Sequence, residues 1–156
     1  MKTYKYLTIL LSILTMQSSA QIFEGANGIY YAANEVPYQG IYKDSFDNGA
    51  LKIEMELTKG TINGNVKTFY ENGKIREIQA YKMGEKDGTW LSYNENGQLM
   101  GEANYEHNKK HGRWLIYDEN GILRYEMYYI RGEKTGNWKE FNESGEIVNQ
   151  KEFANK

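Results

Sequence analysis

The sequence has no cysteine and a single proline, Pro37. Without cysteine there is no disulfide to brace an exported domain and no thiol chemistry. There is also no residue to carry a lipid at an export cleavage site. The lone proline fits an edge strand or a turn. Histidine is nearly as scarce, with His107 and His111 together in one HNKKH turn. An i, i+4 histidine pair suits a metal on a helix, but beside Lys109 and Lys110 these two read as solvated loop residues. No G-x-x-x-x-G-K-[ST] phosphate loop and no Ser-His-Asp order stands out. Beyond residue 20 there is no helix-period segment, linker or low-complexity tract. Nothing in this inventory points to an enzyme, a metal or a cofactor.

Long apolar runs are absent except at the start. Lys2 and Lys5 precede the run LTILLSILTM at 7–16, and Ser18, Ser19 and Ala20 follow it. The run is too short for a bilayer span of about 20 residues. The pattern is that of a secretory signal peptide over 1–20, cleaved to leave Gln21 first. The expected location is periplasmic or secreted, with no transmembrane segment after cleavage. Loss of Lys2 and Lys5 takes the formal net charge from −2 to −4. Such a mildly acidic chain has no bulk electrostatic attraction for nucleic acid.

What is present is a repeat. Gly40, Gly64, Gly88, Gly112 and Gly136 recur at a spacing of 24 residues, the mark of a repeat array. Each unit carries an aromatic near its start, as Trp90, Trp114 and Trp138, with Tyr42 and Val66 in the earlier units. Three residues later come Phe69, Tyr93, Tyr117 and Phe141. Further on, Tyr81, Tyr105, Tyr129 and Phe153 occupy one shared position. Asn48-Gly49, Asn72-Gly73, Asn96-Gly97 and Asn120-Gly121 fall between apolar runs, with Ser144-Gly145 in the last unit. Asn-Gly is a strong hairpin signal because both residues tolerate φ > 0. A second turn closes each unit at Gly60, Gly84, Asn108 and Gly132. Asparagine in a glycine position predicts a left-handed backbone there.

Between the turns the apolar period is two, which predicts strands of roughly 6–8 residues. The set Leu99, Gly101, Ala103 and Tyr105 is expected on one face, as are Leu123, Tyr125, Met127 and Tyr129. Trp90 and Tyr93 are three apart, so either both faces carry aromatics or a bulge re-aims one. The expected fold is all-β: an elongated antiparallel meander of tandem hairpins. Residues 21–39 read as an N-terminal cap and 40–156 as five repeats. The last repeat ends in the charged NQKEFANK, which reads as a C-terminal cap.

Two rows of side chains invite a functional reading. Glu54, Glu102 and Glu126 share one position, which Ile78 and Gln150 break. Charges on a solvated sheet face explain that row better than paired catalytic carboxylates. The aromatic row comprises Trp90, Trp114 and Trp138, Tyr93 and Tyr117, and Tyr81, Tyr105 and Tyr129. Cross-strand packing is the reading we favour for the tryptophans. An exposed ladder stacking on sugars, peptides or cationic groups is the alternative. Packing would move any binding surface to the opposite strand face and to loops 85–87, 109–111 and 133–135.

The glycine, aromatic and Asn-Gly positions together spell G-x-W-x-x-Y-x-x-N-G-x-L followed by a distal tyrosine and a second glycine turn. This resembles the MORN-repeat variant family, bacterial repeat proteins that include YwqK-type antitoxins. The resemblance runs over about residues 28–153, with GIYYAANEVPYQG (28–40) as its lead-in. It implies a β-meander and a binding or scaffold role, antitoxin-like by resemblance. The units are similar, more distantly, to choline- and glucan-binding cell-wall repeats. Two functions are therefore carried forward: a module for an unknown protein partner, and a binder of a glycan or cell-envelope ligand.

Overall fold

The computed structural model describes residues 22–33 and 35–154. The expected signal peptide and its junction at Gln21 lie outside the described residues. Two short strands, β1 (Phe23–Glu24) and β2 (Tyr30–Tyr31), form their own antiparallel pair. All the others form one sheet: β3 (Gly40–Ser45), β4 (Leu51–Thr58), β5 (Thr61–Phe69), β6 (Ile75–Lys82), β7 (Glu85–Tyr93), β8 (Leu99–Glu106), β9 (Lys109–Lys110), β10 (Gly112–Tyr117), β11 (Leu123–Ile130), β12 (Glu133–Phe141) and β13 (Ile147–Phe153). Each strand lies antiparallel to its neighbours in chain order. β9 and β10 both pair with β8 and are parted at His111. There is no helix among the described residues. The 24-residue hairpin meander is the fold the periodicity predicts.

The two turns of each unit are built differently. In the first, Gly49 N–H donates to the Phe46 carbonyl at 2.9 Å and Phe46 N–H to the Ala50 carbonyl at 2.8 Å. The same pair of bonds recurs at 70–74, 94–98, 118–122 and 142–146. Only the glycine of each Asn-Gly is left-handed, with φ of 82° at Gly49 and 84° at Gly97. This is the three-residue hairpin loop closed by a glycine bulge. The second turn has two successive left-handed residues: Lys59-Gly60, Met83-Gly84, His107-Asn108 and Arg131-Gly132. That is the two-residue type I′ turn, whose twist matches the strands. Asn108 has φ 65°, as the glycine-position argument predicts. It does more than tolerate the backbone: its Oδ1 accepts the Lys86 N–H at 2.8 Å.

These second turns are stitched together along one edge. Gly84 N–H donates to the Ile62 carbonyl, Asn108 N–H to Lys86 and Gly132 N–H to Lys110, at 2.7–3.0 Å. Gly60 N–H makes the equivalent bond to Tyr38 at 2.7 Å, and Tyr38 stands one repeat before Ile62. Residues 29–38 thus meet the first turn as a repeat would. A side chain at Gly60 would collide with Ile29, Pro37 and the Tyr30 carbonyl, so glycine is required there by contact as well as by φ.

Every hairpin carries a one-residue register shift next to its first turn. Ser92 pairs with Gly101 but Tyr93 pairs with Leu99, which leaves Met100 as the extra residue. The same shift follows Asp44, Thr68, Ile116 and Glu140. This settles the parity question. Trp90, Ala103 and Tyr105 lie on one face, while Tyr93 and Leu99 pair on the other. Leu99 and Leu123 are therefore not on the face of the residues that follow them, contrary to the period-two reading, because the bulge inverts the alternation. Both faces carry aromatics. Few residues are deeply buried: Met55, Leu57, Val66, Leu115 and Tyr129 are the apolar ones. The principal contacts run between sheet neighbours.

Candidate functional site

The tryptophans are placed by a second irregularity. Gln79 pairs with Trp90 and Tyr81 with Lys86, so residues 87–89 bow past Ala80 alone. The bow brings a backbone carbonyl within reach of the indole, which donates to it. Trp90 Nε1–H donates to the Ala80 carbonyl at 3.0 Å, Trp114 to Asn104 at 2.9 Å and Trp138 to Tyr128 at 3.0 Å. The indole N–H is a donor only, and a half-buried tryptophan needs an acceptor for it. These carbonyls provide one.

The rings then interleave across the sheet. Tyr81, Trp90, Tyr105, Trp114, Tyr129, Trp138 and Phe153 form one chain of tilted and edge contacts with centroids 4.9–5.4 Å apart. Burial raises the phenol pKa of Tyr81, Tyr105 and Tyr129. Three lysines close over the ladder. Lys86 Nζ sits 4.4 Å from the Trp90 ring, Lys110 Nζ 4.3 Å from Trp114 and Lys134 Nζ 4.4 Å from Trp138. Each also approaches the next ring, Tyr105, Tyr129 or Phe153. Lys110 and Lys134, from the expected loops 109–111 and 133–135, are thus cation–π partners. The tryptophans are half-buried, packed at their edges and covered in part by ammonium groups.

The ladder face is recessed at several points, and the recess at β8 is floored by the smallest residues. Along the tryptophan row, Met55, Gln79, Met127 and Lys151 stand at the position that Ala103 takes in β8. In the adjoining row, Ile53, Glu77, Tyr125 and Asn149 stand where Gly101 does. The smallest side chains of both rows therefore coincide between Trp90 and Trp114. They floor a cavity of about 360 Å³ whose walls include Glu77, Gln79, Ser92 and Ile116. Beside it, Ile116 pairs with Tyr125, and both are well exposed, at 43% and 40%.

The opposite face holds Tyr93, Tyr117 and Phe141, apart from the ladder, and the row Lys43, Glu54, Lys67, Ile78, Leu91, Glu102, Leu115, Glu126 and Lys139. The solvated reading of this row fails at Glu126, which is buried. Its carboxylate accepts from Arg113 Nε at 2.9 Å, Lys139 Nζ at 3.2 Å and the Tyr128 hydroxyl at 2.8 Å. Burial pushes its pKa up, but the Tyr128 hydroxyl and the two cations outweigh that and hold it below the ordinary value. Glu54 lies 3.0 Å from both Lys43 and Lys67, and bonds from these lysines lower its pKa. Leu115 separates Glu102 from Glu126, so the carboxylates do not pair. His107 is exposed and meets Glu85 at 2.9 Å. The hydrogen bond to that carboxylate raises its pKa. No cluster of metal-ligating side chains occurs among the described residues.

Comparison with family profiles decides the relationship. The profile of the MORN repeat variant matches residues 62–83, 86–107, 110–131 and 134–155. The chain belongs to the MORN repeat variant family. No curated protein gives a match. Each matched MORN repeat starts just past a type I′ turn and contains one hairpin. The first hairpin, β3–β4, is matched by none of the four segments yet keeps the same bulged register. MORN repeats are commonly protein-binding modules and generally non-enzymatic. Three of the four MORN repeats begin on their ladder lysine, so the 24-residue recurrence of Lys86, Lys110 and Lys134 was readable from sequence. Gly101 and Ala103 were readable too, as the smallest residues in their columns. Neither signal is aromatic, so neither belongs to the aromatic row.

Proposed function

We propose that this protein is a non-enzymatic module that binds a protein partner across the tryptophan face of its sheet, outside the cytoplasm. The observation that carries this is the exposed, paired Ile116 and Tyr125 beside the cavity at Gly101 and Ala103. Exposed apolar neighbours flanking a recess are the composition of an interaction surface. This moves the binding surface from the opposite face and the second-turn loops to the ladder face itself. An antitoxin-like role is a narrower form of the same reading. Glycan stacking on the ladder has less support, because Lys86, Lys110 and Lys134 already sit over the indole rings.

The test is site-specific photo-cross-linking in the producing cells. A benzoylphenylalanine at position 125 should capture one discrete protein, and one at position 113 on the other face should not. Capture from position 113 alone would overturn the assignment of the face. Export rests on the pattern of residues 1–20. The mature protein should begin at Gln21 and leave the cytoplasm, and intact Met1 in the mature pool would overturn that part.

A further inference from the structure

Six asparagines are followed by glycine: Asn27, Asn48, Asn63, Asn72, Asn96 and Asn120. We propose that Asn96 and Asn120 are sites of spontaneous deamidation to aspartate and isoaspartate, and that the fold holds the other four back. This does not depend on the protein-binding reading above. A glycine successor favours the reaction, because no Cβ shields its backbone nitrogen. The Gly97 nitrogen gives up its proton to hydroxide and bonds to Asn96 Cγ. The Cγ–Nδ2 bond breaks, and the amide group leaves as ammonia with a proton from water. A succinimide ring remains, and a water molecule opens it at either carbonyl. In sum, one amide and one water become one carboxyl and one ammonia, with no oxidant or cofactor. Gly121 and Asn120 react in the same way.

The six differ in what holds the side-chain amide. Asn27 Oδ1 accepts the Ile29 N–H at 3.1 Å, Asn48 Oδ1 the Ala50 N–H at 2.9 Å, Asn63 Oδ1 the Met83 N–H at 3.0 Å and Asn72 Oδ1 the Lys74 N–H at 2.9 Å. Asn27 and Asn72 also donate through Nδ2, to the Tyr31 hydroxyl and the Glu95 carbonyl. For attack the amide must turn the face of Cγ onto the glycine nitrogen, so each of these bonds is a restraint that has to break. Asn96 and Asn120 are exposed, and their side chains make no hydrogen bond among the described residues. The cause lies two residues upstream. Asn94 Oδ1 takes the Gln98 N–H and Asp118 Oδ1 the Ile122 N–H, both at 3.0 Å. These N–H groups are the equivalents of those on Ala50 and Lys74. Where Phe46 or Tyr70 opens the turn, the asparagine before glycine caps the turn itself. Where Asn94 or Asp118 opens it, that asparagine is released. The rest of the loop is matched. In all four turns an acidic residue precedes the asparagine, and the glycine N–H donates to the carbonyl three residues back at 2.8–2.9 Å. Isoaspartate would add a main-chain atom inside that hydrogen-bonded loop, and a negative charge beside Glu95 or Glu119.

The experiment incubates the whole protein in mildly alkaline buffer and follows all six sites by mass spectrometry of timed digests. Asn96 and Asn120 should convert about fivefold faster than Asn48 and Asn72, the effect of one net hydrogen bond, with isoaspartate among the products. In denaturant the four first-turn sites should converge, because the ranking belongs to the fold. Asn94→Tyr copies Tyr70 at the equivalent position. It returns the Gln98 N–H to Asn96 and should slow that site to the rate of Asn72, while Asn120 in the same molecule stays fast. Should this variant not fold, the ranking in the natural protein still decides. Asn48 or Asn72 converting as fast as Asn96, the same ranking persisting in denaturant, or an unslowed Asn96 in folded Asn94→Tyr would each overturn the proposal.

Discussion

The amino-terminal hairpins, β3–β4 and β5–β6, and the three that follow solve one repeat in two ways. From β7 onward a tryptophan fills the bulge: its ring packs between two other aromatic rings and its N–H donates to a backbone carbonyl across the bulge. In the earlier hairpins Tyr42 and Val66 take that place. There the packing is aliphatic, and Met55, Leu57 and Val66 are among the most buried apolar residues. Beside Val66, the Glu56 carboxylate accepts the Asn65 N–H at 3.4 Å. The first turns differ in parallel. Asn94, Asp118 and Asn142 each accept two backbone N–H groups in the later hairpins. Phe46 and Tyr70 hold that position in the earlier ones, and Asn48 and Asn72 take over the capping. At the first turns the repeat thus caps the same backbone N–H in every hairpin, and varies which side chain does it.

The largest test of this contrast removes the filler from each half. Trp114→Ala takes away two ring contacts, an indole hydrogen bond and the Lys110 cation–π contact. It should cost about 3–4 kcal/mol, near the lower end for large aromatics because the ring is half-buried. Val66→Ala removes two methyl groups from an aliphatic site and should cost about 2 kcal/mol. Chemical denaturation of both variants measures the difference. Equal losses would mean that the indole hydrogen bond and ladder contribute nothing beyond apolar area.

Much of this was legible in the sequence, and the missing part has a physical pattern. Periodicity of two, a 24-residue recurrence and glycine turns are local signals, and they predict strands, hairpins and order of pairing. The requirement at Asn108 was legible because only a few residue types accept that backbone. What local patterns do not encode is register across the sheet. The extra residue at Met100 inverts the alternation, so Leu99 lies on the face opposite to the one its spacing predicts. Burial of Glu126 depends on Arg113 and Lys139 arriving from two other strands. The recess at Gly101 and Ala103 is a property of two rows read across neighbouring repeats, and no window along one strand contains it.

A smaller effect tests the turn edge, where one hairpin departs from its neighbours. Asn108 replaces glycine, and its side chain adds a bond to Lys86 N–H at 2.8 Å that Gly60, Gly84 and Gly132 lack the means to make. Asn108→Val should cost about 2–3 kcal/mol, from a β-branched residue in the left-handed region together with the lost bond. Asn108→Gly relieves the backbone but loses the bond, so it should fall within about 1 kcal/mol of the natural protein. Equal stability of the two variants would show that neither backbone nor side chain matters at this turn.

The smallest expected effect compares two carboxylates built alike in the two halves. Glu54 lies between Lys43 and Lys67, and Glu126 between Arg113 and Lys139. Glu126 differs in being buried and in accepting the Tyr128 hydroxyl. Its cations are still partly exposed, so solvent weakens their pull. At neutral pH Glu126→Gln should cost about 1–2 kcal/mol, and Glu54→Gln less than about 1 kcal/mol. The pH dependence has a definite sign. Both carboxyls have folded pKa values below the ordinary 4.5, so the folded state favours their charged form. The stability they contribute is fully present above the unfolded value and is lost as pH falls through the folded one. The gap between natural protein and Glu126→Gln should therefore close as pH drops below about 4.5, the ordinary carboxyl value. Melting curves at a series of pH values measure that gap directly. A gap independent of pH would mean that the variant acts through shape alone, and that the ion pairs around Glu126 carry none of the difference between the halves.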